Sequence, residues 1–409
     1  MDEFVRLYGE LKWSPSMYDS STGIIRNYIN PLIGDLPMQS VTVKTVDIFI
    51  HDLHRTRSAA EKYHAVKQDY ISDSQVEKVV KLARCAFNQA VRWNVIPQNP
   101  FNQANLCKAK CREREIWDTE TIRKALDACR DANLYVCMNL SFACSLRIGE
   151  ILGLTWNNVH ISEQEIKDDD SWLYIMQELA RVKRSALAAL NNKNIYHIFP
   201  AWTGKTTNTV LVLKKPKTDS SIRRVWIPKT VAYVLQELRK NQLHQIELAG
   251  CDYTDYNLVI AFPNGHPCEE KRINQAFTKL KAEAKLPDVV FHSLRHSSAT
   301  YKLKLNHGDL KATQGDTGHA EIDMLTKVYA HILDADRKIT AQRFEEAFYQ
   351  PQDSPEQKDN SSSSPDIAAL IAQIQQYPEL GKILSDVLAK QASTDENTEN
   401  SNGNLSGSE

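Results

Sequence analysis

The sequence lacks several features that define whole classes of protein. It has only 14 glycines in 409 residues, and its composition is 42% hydrophobic and 25% charged, which excludes collagen-like and wholly disordered chains. No run approaches the roughly 18 uncharged apolar residues that a membrane-spanning helix needs. The N-terminus, MDEFVRLYGELKW, carries acidic residues where a secretory signal has a basic start and an apolar run. These absences predict a cytoplasmic protein with no membrane partner.

Its eight cysteines contain no CxxC pair, so a disulfide scaffold is not expected and a reducing compartment is. Cys107 and Cys111 are the one close pair, and no second pair or His cluster completes a four-ligand site. We therefore predict no metal centre and no cofactor-binding residue.

The net charge of −1 conceals an asymmetry along the chain. Residues 351–409 hold 10 acidic residues and 3 lysines, so their net charge is −7, whereas residues 1–350 hold 41 acidic and 47 basic residues, a net charge of +6. An excess of positive charge in the folded part is compatible with a phosphate-rich partner.

A length of 409 residues corresponds to about two to four domains. Apolar residues recur at helical spacing in Asp2–Leu11, Ser20–Ile29, Thr45–Leu53 and, most clearly, Ser74–Trp93. The polar stretch CKAKCREREIW follows as a linker, which puts a boundary near residue 112. We predict a helical domain over 1–110, a second domain over 111–350, and an acidic, largely disordered tail over 351–409 with a possible helix at 366–390.

The second domain is predicted to be mainly helical with a small antiparallel sheet, an α+β fold. Its β-rich runs are WLYIM, IYHIF, TVLVLKK and RRVWIP, and its basic stretch ARVKRSALAALN is predicted to be helical. The last two β-rich runs flank the turn PKTDSS and are predicted to pair as a hairpin. Further helices are expected at Asp118–Arg130, Leu134–Phe142, Thr230–Ala249, Cys268–Ala284, Ser293–Leu305, Asp323–Ile332 and Asp334–Phe348.

Three separated segments concentrate groups suited to a phosphate: SLRIGEILGLTW, VVFHSLRHSSAT and DTGHAEIDMLTKVYAHI. Each is weak evidence alone, because an Arg147/Glu150 pair is most often a solvent-exposed or structural ion pair and a lone Tyr329 is most often a half-buried core aromatic. His292 and Arg295, three residues apart, share a helix face and could hold one anion.

The combination is more specific than its parts. Two guanidiniums and an imidazole N–H can stabilise the charge that a phosphodiester develops in its transition state. A tyrosine hydroxyl, with a free pKa of about 10, needs a base and cationic neighbours to attack phosphorus. A lysine near the basic turn can protonate the leaving sugar oxygen. The set therefore favours phosphoryl transfer through a covalent tyrosyl intermediate.

The order of these residues resembles the tyrosine recombinase (phage integrase) family, over most of residues 1–345. The resemblance implies a helical, SAM-like core-binding domain, which YINPLIGDLPMQSVT resembles, followed by a tyrosine recombinase catalytic domain. It implies these catalytic residues, with Tyr329 as the nucleophile: Arg147, Lys217, His292, Arg295, His319 and Tyr329.

What the resemblance implies is a site-specific integrase of a phage or an integrative/conjugative element. Such an enzyme clamps duplex DNA at its core sites, forms a 3′-phosphotyrosyl linkage and exchanges strands within a homotetramer, without ATP or a divalent metal. An excisionase or a host DNA-bending protein is a possible further partner. Two alternatives stay open: a monomeric, topoisomerase-like nicking and resealing protein, and a DNA-binding regulator without catalysis.

The chain departs from the family pattern in a few places. Thr317 stands before Gly318-His319 where an apolar residue is usual, ARVKRSALAALN and FPAWTGKTTN form a long insertion, and no arm-binding domain is expected before the core-binding pattern. Lys214 and Lys215 compete with Lys217 as general acid. Some residues have simpler interpretations: His296 and His331 as structural or solvent-facing, and Trp156 and Trp226 as core aromatics. The basic run Lys205–Lys229 is either a solvated face or, as we prefer because it surrounds the predicted lysine hairpin, a contact with the DNA backbone.

Overall fold

The computed structural model describes residues 1–59, 69–104, 106, 115–201, 207–306, 309, 311 and 313. Within these ranges, no helix has the length and apolar character needed to cross a membrane. Several predictions lie outside the described residues: the Cys107/Cys111 pair, the helices at Asp323–Ile332 and Asp334–Phe348, and the whole tail over 351–409.

The described residues of the first hundred are mainly helical, as the apolar periodicity predicts. Helix α6 begins one residue before the predicted start of Ser74–Trp93, and Ser72 caps it by accepting a hydrogen bond from the backbone N–H of Gln75 (3.3 Å). The helices are α1 Asp2–Phe4, α2 Glu10–Lys12, α3 Pro15–Ile24, α4 Asn30–Ile33, α5 Val43–His54 and α6 Asp73–Arg92, with π-helical turns at Val5–Gly9 and Ile25–Ile29.

These helices bury their apolar faces in one core. Phe101, fully buried, packs against Phe87 with ring centroids 4.8 Å apart and against Phe49 at 6.0 Å. This core contains buried residues from Phe4 to Phe101, and a separate core contains buried residues from Trp117 to Leu294. The domain boundary near residue 112 stays a prediction, because residues 107–114 are outside the described ranges.

The second region is mainly helical with small antiparallel sheets, so the predicted α+β class is confirmed. Helix α14 has the predicted bounds. The helices are α7 Thr119–Ala128, α8 Ala132–Ala143, α9 Ile148–Leu152, α10 Glu163–Lys167, α11 Arg184–Ala189, α12 Lys229–Ala249, α13 Glu270–Glu283 and α14 Ser293–Leu305. The strands are β1 Val159–His160, β2 Trp172–Ile175, β3 Glu178–Lys183, β4 Ile195–Ile198, β5 Thr209–Lys214 and β6 Arg223–Trp226.

The predicted hairpin between TVLVLKK and RRVWIP is wrong. In the described part of the chain, the strands form two antiparallel sheets, in the orders β1-β2-β6 and β3-β5-β4. Strands β2 and β3 are nearly continuous, so β6 pairs with the first of them (Ile175 opposite Arg223) and β5 with the second (Glu178 opposite Lys214). The segment 215–222 therefore connects β5 of one sheet to β6 of the other.

The helix predicted over ARVKRSALAALN is wrong in its first part, where β3 extends to Lys183 and α11 begins at Arg184. Leu179 and Val182 are the buried residues of β3. Their spacing of three also fits a helical period, which explains the error.

Helix α9 packs closely on β3, and a glycine makes this possible. A Cβ on Gly153 would lie 2.8 Å from the backbone nitrogen of Leu179 and 2.9 Å from the carbonyl carbon of Glu178. Any larger residue would push α9 away from the sheet. This contact places the C-terminal end of α9 beside the start of β3.

The two tryptophans predicted to be core aromatics differ in burial. Trp156 packs against the core, and its Nε1 donates to Oε1 of Gln242 at 2.6 Å. Trp226 is 51% exposed, so that prediction is wrong. Strand alternation turns Trp226 and Arg224 to the outer face of the sheet, and the guanidinium carbon of Arg224 lies 5.4 Å from the Trp226 ring centroid.

Candidate active site

Arg147 is the residue immediately before helix α9, and Glu150 orients its side chain. Its Nη1 donates to Oε1 of Glu150 at 2.7 Å, and its backbone N–H donates to Oε2 at 3.0 Å. The Arg147 side chain is 34% exposed, whereas that of Glu150 is 1% exposed. Of the two simpler interpretations, a solvent-exposed or a structural ion pair, the first is excluded, because the carboxylate is buried and holds one end of a partly exposed guanidinium.

A second guanidinium, that of Arg223, reaches the same carboxylate. Its Nη2 lies 3.3 Å from Oε2 of Glu150, and its Nη1 donates to the carbonyl of Ser221 at 3.0 Å. Burial opposes ionisation of Glu150, but the charge of Arg223, the backbone N–H of Arg147 and the Arg147 charge together keep its pKa below the usual value. Glu150 is consequently an anion at neutral pH.

Arg295 lies in helix α14 and is 1% exposed. Its Nη1 donates to the backbone carbonyl of Ser145, two residues before Arg147. Burial, followed by the charges of Arg147 and Arg223 and opposed by Glu150, lowers the pKa of Arg295 to about 9. Arg295 is still a cation at neutral pH. Arg147 and Arg223 thus contact one buried carboxylate and Arg295 interacts electrostatically with all three groups, which leaves an excess of positive charge.

Arg147 and His292 lie on the wall of one cleft, whose volume is about 1280 Å³. The same cleft is lined by Glu178 and Lys214 and, from α3, by Ser16. His292 is the residue before α14. Its ring meets that of the buried His296 edge to face, with centroids 4.9 Å apart.

The competing lysines occupy different positions. Lys217 is exposed in the segment 215–222, whose Ser221 hydroxyl lies 3.4 Å from Nη1 of Arg147. Lys214, at the end of β5, is buried, forms an ion pair with Glu178 and lines the cleft. Lys215 is half-buried, and its backbone N–H donates to the carbonyl of Asn194 at 2.9 Å.

Four of the six predicted catalytic residues are described by the structure. Arg147 and Arg295 belong to one charged cluster, His292 lies on the cleft beside Arg147, and Lys217 lies on the segment tied to Arg147 through Ser221. His319 and Tyr329 lie outside the described residues, as do Thr317 and His331.

The motifs in the sequence did not single out Arg223 or Ser145. Arg223 lies two residues before the buried Val225 on strand β6, so the two side chains share a face and the register places a charged residue on the core face. A charge at such a position indicates a buried counter-ion and could have signalled the partner Glu150. The sequence pattern offers no comparable signal for Ser145.

Known proteins are similar to this chain in sequence and fold. The model of the phage integrase family matches residues 116–336. A tyrosine recombinase XerC-like protein of Caldanaerobacter subterraneus subsp. tengcongensis is 24% identical over 330 residues, 78% of this chain and 75% of that protein. The ICEBs1 integrase of Bacillus subtilis is 19% identical over 325 residues, 76% of this chain and 75% of that protein.

Solved structures share the fold. The Tn1549 transposon integrase (residues 82–397) in complex with circular intermediate DNA matches with a TM-score of 0.61 at 16% identity, over 84% of this chain and 97% of that chain. A lambda integrase dimer (residues 75–356) bound to a COC′ core site matches with a TM-score of 0.50 at 15% identity, over 80% and 93% of the two chains.

The fold is that of a tyrosine recombinase of the integrase type. The chain belongs to the phage integrase family, whose model covers more than half of its length.

Proposed function

We propose that this protein is a site-specific DNA recombinase that cleaves and rejoins duplex DNA through a 3′-phosphotyrosyl intermediate and so integrates or excises a mobile element. The observation that carries the proposal is the cluster of Arg147, Arg295 and Arg223 around the buried Glu150, next to a cleft that also contains His292. The family and the relatives reported above support the same activity.

The cluster suits a phosphodiester. Arg147 is held at one end by Glu150, so its remaining N–H groups point in a fixed direction and lose little conformational freedom on binding a non-bridging oxygen. The buried positive charge of Arg295 adds to the potential at that oxygen without competing solvent. These two residues stabilise the transition-state charge.

The remaining roles follow from the family resemblance. The hydroxyl oxygen of Tyr329 attacks the scissile phosphorus and gives its proton to an imidazole of the site, His292 or His319. The new phosphorus–oxygen bond replaces the bond to the 5′ oxygen, which leaves with a proton from Lys217. One phosphoester bond forms for each that breaks, so the linkage energy is retained for the reverse step and no ATP is needed.

The partner is duplex DNA at core recombination sites, contacted in the cytoplasm. The net charge of +6 over residues 1–350 favours binding to the phosphate backbone. A homotetramer performs the complete strand exchange, and an excisionase or a host DNA-bending protein sets its direction. The proposed core-binding domain over 1–110 and catalytic domain over 111–350 grip the DNA from two sides.

Trapping of the covalent intermediate tests this function. A duplex spanning the end of the mobile element is nicked near the cleavage point, so that the released short strand diffuses away and cannot religate. Wild-type protein is expected to give an adduct on a denaturing gel. Tyr329→Phe is expected to bind the duplex with similar affinity but give no adduct, because the hydroxyl is the nucleophile and contributes little to phosphate binding.

Tyr301→Phe is the matched control, since this partly exposed tyrosine of α14 stacks on Phe142 at 5.9 Å and should leave the adduct unchanged. An adduct with Tyr329→Phe would mean that another residue is the nucleophile. Relaxation of supercoiled DNA by monomers without strand exchange would favour a nicking and resealing protein. Binding without any wild-type adduct would favour a regulator.

A further inference from the structure

Ser145 adopts an unusual backbone conformation immediately before the arginine cluster. Its φ is +53°, in the left-handed region that glycine enters freely and other L-residues rarely occupy. The residue is fully buried. An interaction with the surrounding structure must therefore hold Ser145 in this conformation.

The side chain of Ser298 provides that support. The Oγ atoms of Ser145 and Ser298 lie 2.6 Å apart, and both residues are buried. Ser298 lies in α14 three residues after Arg295, on the adjacent turn of the helix. A single hydrogen bond between hydroxyls thus joins the α8–α9 connection to the helix that contains Arg295.

The backbone of Ser145 connects this hydrogen bond to both arginines. Its carbonyl accepts from Nη1 of Arg295, and the chain reaches Arg147 two residues later. A rotation of Ser145 out of its left-handed conformation would turn that carbonyl away from Arg295 and redirect the chain entering α9. The conformation of one residue therefore affects both guanidiniums.

We propose that the Ser145–Ser298 hydroxyl pair is a positioning device that holds Ser145 in its left-handed conformation and thereby fixes the guanidiniums of Arg295 and Arg147 relative to each other. The inference rests on the proposed function, since it concerns residues that act on the scissile phosphate. Ser145 and Ser298 are positioning residues and do not touch DNA.

Glycine at position 145 distinguishes positioning from packing. Glycine adopts the same φ without help from Ser298, whereas alanine lacks the hydroxyl and is still strained there. Ser145→Gly should consequently cleave at near the wild-type rate, and Ser145→Ala should be slow. Ser298→Ala should be slow with serine at 145, and fast again in the double variant Ser145→Gly/Ser298→Ala.

The measurement is single-turnover adduct formation on the nicked duplex at saturating DNA, with DNA affinity determined separately. Ser298→Ala is expected to lower the first-order cleavage constant about 10-fold with affinity unchanged, as for loss of an interaction made in the transition state. The double variant should cleave within about 2-fold of Ser145→Gly. Ser297→Ala is the control, because this buried neighbour has a hydroxyl without a hydrogen-bond partner among the described residues and should cleave like wild type.

A second readout needs neither DNA nor cleavage. In protein labelled with 15N-arginine, the Nε–H resonance of Arg295 should move in Ser298→Ala and return towards its wild-type position in the double variant. Wild-type cleavage by Ser298→Ala, or a double variant as slow as Ser298→Ala, would overturn the inference while leaving the proposed function intact. Absence of any wild-type adduct would instead contradict the proposed function, and the resonance of Arg295 would then decide the inference alone.

Discussion

Nη2 of Arg223 lies 3.3 Å from Oε2 of Glu150, and this contact joins strand β6 to helix α9 within the core. Arg223 directly follows the segment 215–222 that contains Lys217, while the same carboxylate orients Arg147. The lysine segment and the first catalytic arginine are therefore fixed to one buried anion. A substitution of Glu150 should therefore alter the positions of both the lysine segment and Arg147.

We expect Glu150→Gln to destabilise the protein by about 3–5 kcal/mol, the usual cost of removing one member of a buried ion pair. The amide keeps the shape of the side chain but leaves the buried guanidinium of Arg223 without its counter-ion. Urea unfolding at pH 7 measures the loss. Glu77→Gln, which breaks an exposed pair with Lys81 in α6, is the control and should change stability little.

The same variant has a characteristic pH dependence. The pKa of Glu150 is lower in the folded protein than in the unfolded chain, where it is about 4.3. Its stabilisation is thus fully present above that value and is lost as the pH falls through the lower folded pKa. The stability difference between wild type and Glu150→Gln should be constant from about pH 6 to 8 and shrink below about pH 4. A difference that persists undiminished at low pH would contradict the buried ion pair.

Local features of the fold could be predicted from the sequence, and features that depend on distant partners could not. Helix α14 has its predicted bounds because its apolar spacing is contained in thirteen consecutive residues. The pairing of β5 and β6 was wrongly predicted because a strand pattern does not name its partner, and the nearly continuous β2 and β3 supplied one for each. Trp226 is exposed although it is aromatic, since the register of β6 sets its face.

In the candidate site, too, local features could be predicted and features that depend on distant residues could not. The residue types and spacing of Arg147 and Arg295 predict a phosphate site, because guanidinium chemistry can be recognised without knowing the fold. The burial of Glu150 could not be predicted, since it depends on Arg223, 73 positions later. Whether an Arg-x-x-Glu pair is exposed or buried is decided by a residue that the motif does not contain.

Replacement of either arginine by lysine should slow cleavage although the charge is retained. Arg147 donates from Nη1 to Glu150, and a lysine, whose single nitrogen is a point charge, cannot both keep this hydrogen bond and present a bidentate fork to the phosphate. We expect Arg147→Lys and Arg295→Lys each to lower the single-turnover cleavage constant by about 10²–10³-fold. Arg239→Lys, on α12 beside Trp156, is the control. Near-wild-type cleavage by both site variants would remove these arginines from the proposed mechanism.

The choice between Lys217 and Lys214 as general acid can be tested with a modified leaving group. In a duplex whose bridging 5′ oxygen is replaced by sulfur, the leaving group scarcely needs a proton. Lys217→Ala should therefore be slower than wild type by about 10²–10⁴-fold on ordinary DNA and substantially restored on the sulfur substrate. Lys214→Ala should be slow on both substrates, because it leaves the Glu178 carboxylate without its ion pair on the cleft wall. Lys215→Ala should be fast on both.

Only a proton donor becomes dispensable when the leaving group no longer needs a proton. Rescue of Lys214→Ala or Lys215→Ala on the sulfur substrate, with no rescue of Lys217→Ala, would therefore assign the proton transfer to the rescued residue.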